Sequence, residues 1–296
     1  MGVVSRFVVA ALALLAATST AHAQHHKRLK VAAREKPAPP EQPSIVAPVV
    51  VEPVPPLPGM TLAAGTVLVH TALEVSLSQD SPVAPASLAP DLSVGVTDDL
   101  TLALVESSSA LTGFRGASGA GFCLTGDGNG KCRTSYAGGG FEALYSLSRG
   151  ELSVAANAGL LATTIDPVHT DLKLGFKMKL TRASSYALFS PSIWYALNDR
   201  YDRIVPHKDQ LWLPFSIWNK LTPSFALGVG SGFKGPLQGL ATKWSVPLGV
   251  LMQYSVDQRV SVGWSLVFGR VVAGSEVMDP GVDARVLQIW LSVASR

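Results

Sequence analysis

The chain has 296 residues, 47% of them hydrophobic and only 15% charged, with a formal net charge of +3. A soluble domain usually carries about 25% charged residues, and so small a charge without a basic stripe excludes an electrostatic grip on nucleic acid. Beyond the N-terminus there is no run of about eighteen apolar residues, so no membrane-crossing helix is written either.

The first element reads as a secretory leader. Arg6 precedes the apolar run Phe7 to Ala17, and Ala21-His22-Ala23 supplies a small-x-small cleavage site. That order predicts a signal peptide over 1–23, cut before Gln24. The next stretch is basic, through His25, His26, Lys27, Arg28, Lys30, Arg34 and Lys36, and then dense in proline from Pro37 to Pro58. Nothing in it is patterned for burial, so residues 24–64 are expected to form a disordered, semi-rigid periplasmic spacer. It is a solvated tail, or a tether for a periplasmic partner.

From Gly65 onward the pattern changes to a period of two. Leu172, Leu174, Phe176, Met178 and Leu180 alternate with Lys173, Gly175, Lys177, Lys179 and Thr181. Such alternation is an extended strand with one apolar face and one polar face. The segments fall near 66–78, 91–97, 99–107, 139–148, 151–163, 170–181, 186–197, 209–220, 224–233, 242–255, 259–271 and 284–294. Short turns follow every second strand, at Asp98-Asp99, Arg149-Gly150, Arg182 to Ser185, Leu221 to Pro223 and Asp257-Gln258. Longer connections lie between, near 79–90, 108–138, 164–169, 198–208, 234–241 and 272–283. The expectation is an all-β fold over 65–296: a twelve-stranded antiparallel transmembrane β-barrel with short periplasmic turns and long extracellular loops.

A soluble β-sandwich alternates too, but its second face should be rich in Lys, Glu and Thr. Here that face is mostly small, through Ser153, Ala155, Asn157 and Gly159, or Gly228, Gly230 and Gly232. Small inward residues suit a tightly curved wall. Trp194, Tyr195, Trp212, Trp244, Tyr254, Trp264 and Trp290 are compatible with the aromatic girdles at the two interfaces.

Leader, parity, alternating connections and a final strand together resemble the Gram-negative outer-membrane β-barrel proteins, with porin-like architecture, over about 60–296. One departure is that such barrels commonly end in an aromatic residue, whereas this chain runs from Trp290 to Arg296 without another. The resemblance implies an outer-membrane location, contact with outer-membrane lipids and the barrel assembly machinery, and a lumen through which small solutes pass.

The candidate lumen residues follow from parity. Lys173, Lys177 and Lys179 share one face of one strand, and lysine on the lipid side near the midplane would cost about 2–4 kcal/mol each. Facing inward, they attract anions. Lys220 and Lys243 have polar parity and extend the same field, while Glu74, Glu142 and His70 also point inward. Two readings stay open: passage of small solutes with a mild anion preference, or a salt-bridge network that plugs the lumen. In the second case the protein is a structural or surface-interaction protein, and the long 108–138 loop makes the contacts. Cys123 and Cys132, an even pair in an exported chain, are expected to close that loop as a disulfide.

Catalysis, cofactors and metals find little support in the sequence. His70 and Glu74 lie roughly 13 Å apart along an extended strand and cannot pair. His169 and His207 fall in or beside loops, and no serine occupies a G-x-S-x-G motif. Asp127 and Asn129 have calcium-loop spacing, but the closing Glu is missing. The loop Asn198 to Arg203 mixes both charge signs beside Tyr201 and is expected to be solvated.

Overall fold

The computed structural model describes residues 59–77, 85–114, 121–125, 134–201, 206–277 and 281–295. The expected leader, the spacer up to residue 58, and Cys132 lie outside these residues.

Among the described residues, fourteen strands and one short helix are formed. In chain order they are β1 (Val67–Ser76), β2 (Ala86–Gly95), β3 (Leu100–Val105), helix α1 (Ser108–Thr112), β4 (Phe122–Cys123), β5 (Gly139–Ser148), β6 (Leu152–Ile165) and β7 (Val168–Arg182). There follow β8 (Ser185–Phe189), β9 (Ser192–Ala196), β10 (Gln210–Lys220), β11 (Phe225–Pro236), β12 (Ser245–Ser255), β13 (Val260–Ala273) and β14 (Gly281–Ala294).

Each long strand pairs antiparallel with its neighbour in sequence, and β14 returns to β1 in the register Glu74↔Gln288 and His70↔Ser292. The sheet therefore closes on itself as a twelve-stranded barrel. Fourteen becomes twelve for two reasons. First, β8 and β9 are two halves of one wall strand, in continuous register along both β7 and β10 and broken only at Ser190-Pro191. Pro191 has no N–H for the ladder, so the strand is interrupted there. Second, β4 is a two-residue piece that pairs with the upper part of β2 after the chain has left the wall at the end of β3. Pro90 falls on the edge of β2 between these two partners, where a missing N–H costs no ladder bond.

The alternation of faces is as the sequence predicts. On β7, Leu174 is 43% exposed, Phe176 49% and Leu180 46%, while Lys173 is 4% exposed. The outer surface continues with Phe141, Tyr145, Leu160, Val250 and Ile289. This unbroken apolar sheath is what a bilayer requires of a closed sheet, since lipid offers no partner to the backbone. Glycine on the inner face makes room for indoles. A Cβ on Gly263 would stand 2.3 Å from the Trp290 ring, and one on Gly228 would stand 2.7 Å from Trp218.

Three expectations need correction. Strand β2 begins at Ala86 rather than Asp91, because β1 pairs with it through Pro90 and Ala89. The connection near 164–169 is a two-residue turn, Asp166-Pro167, with a cis peptide bond, so long and short connections do not alternate strictly. The tryptophans do not all form girdles. Trp194, Trp218 and Trp290 are nearly fully buried inside the barrel.

The parity makes a direct test. Leu174→Lys puts a charge on the lipid side one residue from a lysine the fold already holds inside. It should lower unfolding stability in lipid vesicles by about 2–4 kcal/mol, measured as urea unfolding by tryptophan fluorescence.

Candidate functional site

The inner space is organised by a segment that the sequence places in an extracellular loop. From the end of β3 the chain turns inward, and Glu106 to Phe114 cross the lumen as a bar built around α1. The bar reaches opposite walls, and its two ends meet side chains of matching polarity.

At its start, Ser107 caps α1, accepting from the backbone N–H of Ala110 at 3.1 Å. Two wall carboxylates take the neighbouring donors. Asp91 on β2 accepts from the backbone N–H of Glu106 at 2.7 Å, from that of Ser107 at 2.8 Å, and from the Ser107 hydroxyl at 2.5 Å. Glu74 on β1 accepts from the Ser108 N–H at 2.9 Å and hydroxyl at 2.6 Å, and from the Gln288 amide at 2.8 Å. Anions at a helix start and a cation at its end are the favourable arrangement for backbone groups left without partners.

The cation is Lys173 on β7. Its Nζ donates to the Leu111 carbonyl at 2.5 Å, to the Ala110 carbonyl at 3.2 Å, and to Glu142 on β5. Glu142 also accepts from Asn157 at 2.9 Å and from Lys177 at 3.4 Å. Lys173 thus has all three of its donors engaged. Gly113 ends α1 in the left-handed region, φ 76°, where a Cβ would stand 2.5 Å from Pro214. Phe114 then packs on Trp212 with ring centroids 5.8 Å apart, and Trp212 stacks on Trp194 at 5.0 Å.

Apolar side chains complete the filling. Ala103, Val105, Leu111, Leu161 and Trp194 pack around the bar, and a second cluster of Ala72, Trp218, Ala226, Leu251 and Trp290 lines the wall on the short-turn side. Between bar and short-turn rim a chamber of about 360 Å³ remains, lined by Asp91, Thr101, Ser109, Glu142, Asn157, Lys173 and Lys177 together with Leu144, Leu188 and Trp218. Residues 59–64 edge this chamber from the rim. Met60 and Leu62 line it, the Leu62 N–H donates to Thr101 at 2.8 Å, and the Ala64 N–H donates to Asp98 at 2.9 Å.

The remaining predicted residues are placed as follows. Lys179 lies 5.3 Å over the Tyr186 ring. Lys220 is the exposed last residue of β10, on the short-turn rim. Lys243 is not in a strand: it sits in the β11–β12 loop at the other rim, 3.2 Å from Glu276. A Thr242 hydrogen bond, and then Lys243, hold the Glu276 carboxyl below its ordinary range. His70 meets Ser292 across the ladder at 2.7 Å. Asp91 lies opposite His70 in register, but both its oxygens belong to the bar, so it does not orient the imidazole as a hydrolase triad requires. His169 and His207 stack at 4.4 Å at the long-loop rim, with His207 Nε2 3.1 Å from Asp171. Tyr136 donates to Glu106 at 3.3 Å beside the root of the bar. Burial first, and then Glu106, push the phenol up to about 12, so it keeps its proton at neutral pH. Sequence parity found Lys173, Glu142 and Glu74 and put Asn157 on the inner face only as one of its small residues, but it missed Asp91, Lys234 and the bar itself. Lys234 lies 5.5 Å over Trp212 and 6.0 Å over Phe114, on the same inward parity as Gly230 and Gly228.

No family model matches the chain, and no curated protein does. Among solved structures, the NanC porin is similar at 6% identity and TM-score 0.53, over 76% of this chain and 98% of that one. The KdgM porin, also solved in complex with disordered oligogalacturonate, gives TM-score 0.48 at 8% identity, over 76% of this chain and 98% of its own. The likeness to NanC establishes the shared fold, a porin-type β-barrel.

The buried ion pair sets a clear expectation. Lys173→Ala takes the donor from Glu142 Oε1 and from two helix carbonyls, and should cost about 3–5 kcal/mol of unfolding free energy. Lys173→Met combined with Glu142→Leu should recover much of that loss in the same vesicle assay, because it removes both charges together.

Proposed function

We propose that the protein is an outer-membrane channel for small solutes, narrowed by the bar at Glu106 to Phe114 and mildly selective for anions. The observation that supports this reading most is a polar chamber carrying lysine inside a closed barrel with an apolar sheath. Lys173 is tied to Glu142 and α1 and gives little field to a passing ion. The preference rests instead on Lys177, which holds Glu142 loosely, and on Lys179 and Lys220 toward the short-turn rim. Of the expected spacer, residues 24–58 serve as a periplasmic tether while 59–64 belong to the barrel's rim, the barrel assembly machinery inserts the chain, and Cys123 with Cys132 closes the external part of the 108–138 connection.

One observation favours a second reading. The bar and the two aromatic clusters occupy much of the lumen, which suits a plugged barrel whose outer loops bind a surface ligand. Planar-bilayer recording of the refolded chain from Gln24 separates the two. The channel reading predicts discrete openings and a reversal potential on the anion side in a salt gradient. Lys177→Gln, Lys179→Gln and Lys220→Gln together should move that potential toward zero. A folded, inserted barrel that never conducts would leave the plugged reading.

A further inference from the structure

The wall of the chamber carries an unequal set of polar groups around one oxygen, Oε2 of Glu142. Asn157 Nδ2 donates to it at 2.9 Å and Lys177 Nζ approaches it at 3.4 Å, so the two side chains stand next to each other. Asn157 is 4% exposed, yet its Oδ1 accepts no hydrogen bond among the described groups. A buried amide oxygen without a donor costs free energy, and a ligand donor relieves that cost. Lys177 is the complement. Its side chain is 24% exposed, and its contact with Glu142 uses a single donor of three.

The other charges of the chamber are already matched. Asp91 takes three donors of the bar, and Lys173 gives its three to Glu142 and α1. Among the described charged and amide side chains of the lining, Lys177 keeps donors for a ligand and Asn157 keeps an acceptor. Hydroxyls of Ser93, Thr101, Ser109 and Ser190 line the same space, and Leu188 and Trp218 give it an apolar side. A volume of about 360 Å³ is at the small end of ligand pockets.

We propose that the chamber is a binding site for one small hydroxylated monoanion, a hydroxy acid or sugar acid. Its carboxylate meets Lys177, and a hydroxyl donates to Asn157 Oδ1. Sugar-sized polyols offer the further hydroxyls that the serine and threonine lining can meet. This inference rests on the channel reading for the solute's route to the chamber, but it concerns binding and is measured without transport.

Titration calorimetry on the refolded protein in detergent micelles tests it, with sodium gluconate, sodium acetate and sorbitol as probes. Gluconate should bind about tenfold or more tightly than either of the others, since acetate lacks the hydroxyls and sorbitol lacks the charge. Lys177→Gln should weaken gluconate about tenfold and leave sorbitol unmoved, and Lys177→Arg should keep gluconate binding. Asn157→Leu should reduce the preference for gluconate over acetate. Equal binding of gluconate and sorbitol, or of gluconate and acetate, overturns the assignment, as does no binding. So does loss in both Lys177 variants when gel mobility shows each folded. Conductance with no gluconate site leaves the channel standing and this inference fallen; gluconate binding by a silent barrel does the reverse.

Discussion

Lipid cannot hydrogen-bond a backbone, and the rest of the molecule follows from that constraint. The ladder has to close, and it does so through β1 and β14, which pair at nine positions from Leu68 to Ser76. Once the wall is closed, every residue is committed to one of two solvents by its parity. Leu174 goes to lipid and Lys173 inward because they are neighbours on an extended strand. Polar residues thereby accumulate inside, where they need partners of their own.

The bar answers that need. A strand edge opens where β3 stops at Val105, and Glu106 to Phe114 leave the wall there and enter the lumen. A short helix inside a barrel brings unpaired N–H groups at one end and unpaired carbonyls at the other. The wall supplies Asp91 and Glu74 to the first and Lys173 to the second. The wall charges that sequence parity offers as a conduction field are thus partly structural. What keeps hydrogen-bonding capacity to spare, Lys177 beside Asn157, is small and local and faces the chamber.

Much of this was legible in the sequence. The period of two on β7, the turns at Asp98-Asp99 and Asp257-Gln258, and the small inner face of β11 follow from local rules that need no tertiary context. Proline misled the reading in two places, by hiding the start of β2 and by suggesting a loop at Asp166-Pro167 where a tight turn suffices. The bar was illegible for a different reason. Ser108–Thr112 is five residues long, too short to show helical periodicity, and its place is fixed by side chains distant in sequence: Glu74, Asp91, Lys173 and Pro214. Trp194 and Trp290 read as girdle residues for a related reason, since a girdle and a lumen cluster use the same residue type and only the register distinguishes them.

The most direct test is the single-channel conductance after the lumen-crossing bar is removed. Replacing Ser107–Gly113 by a flexible Gly-Ser linker, in a variant shown to fold and insert, should raise conductance severalfold, or create it where the intact protein is silent. An unchanged conductance in a folded, inserted variant would contradict the claim that this segment sets the width of the lumen.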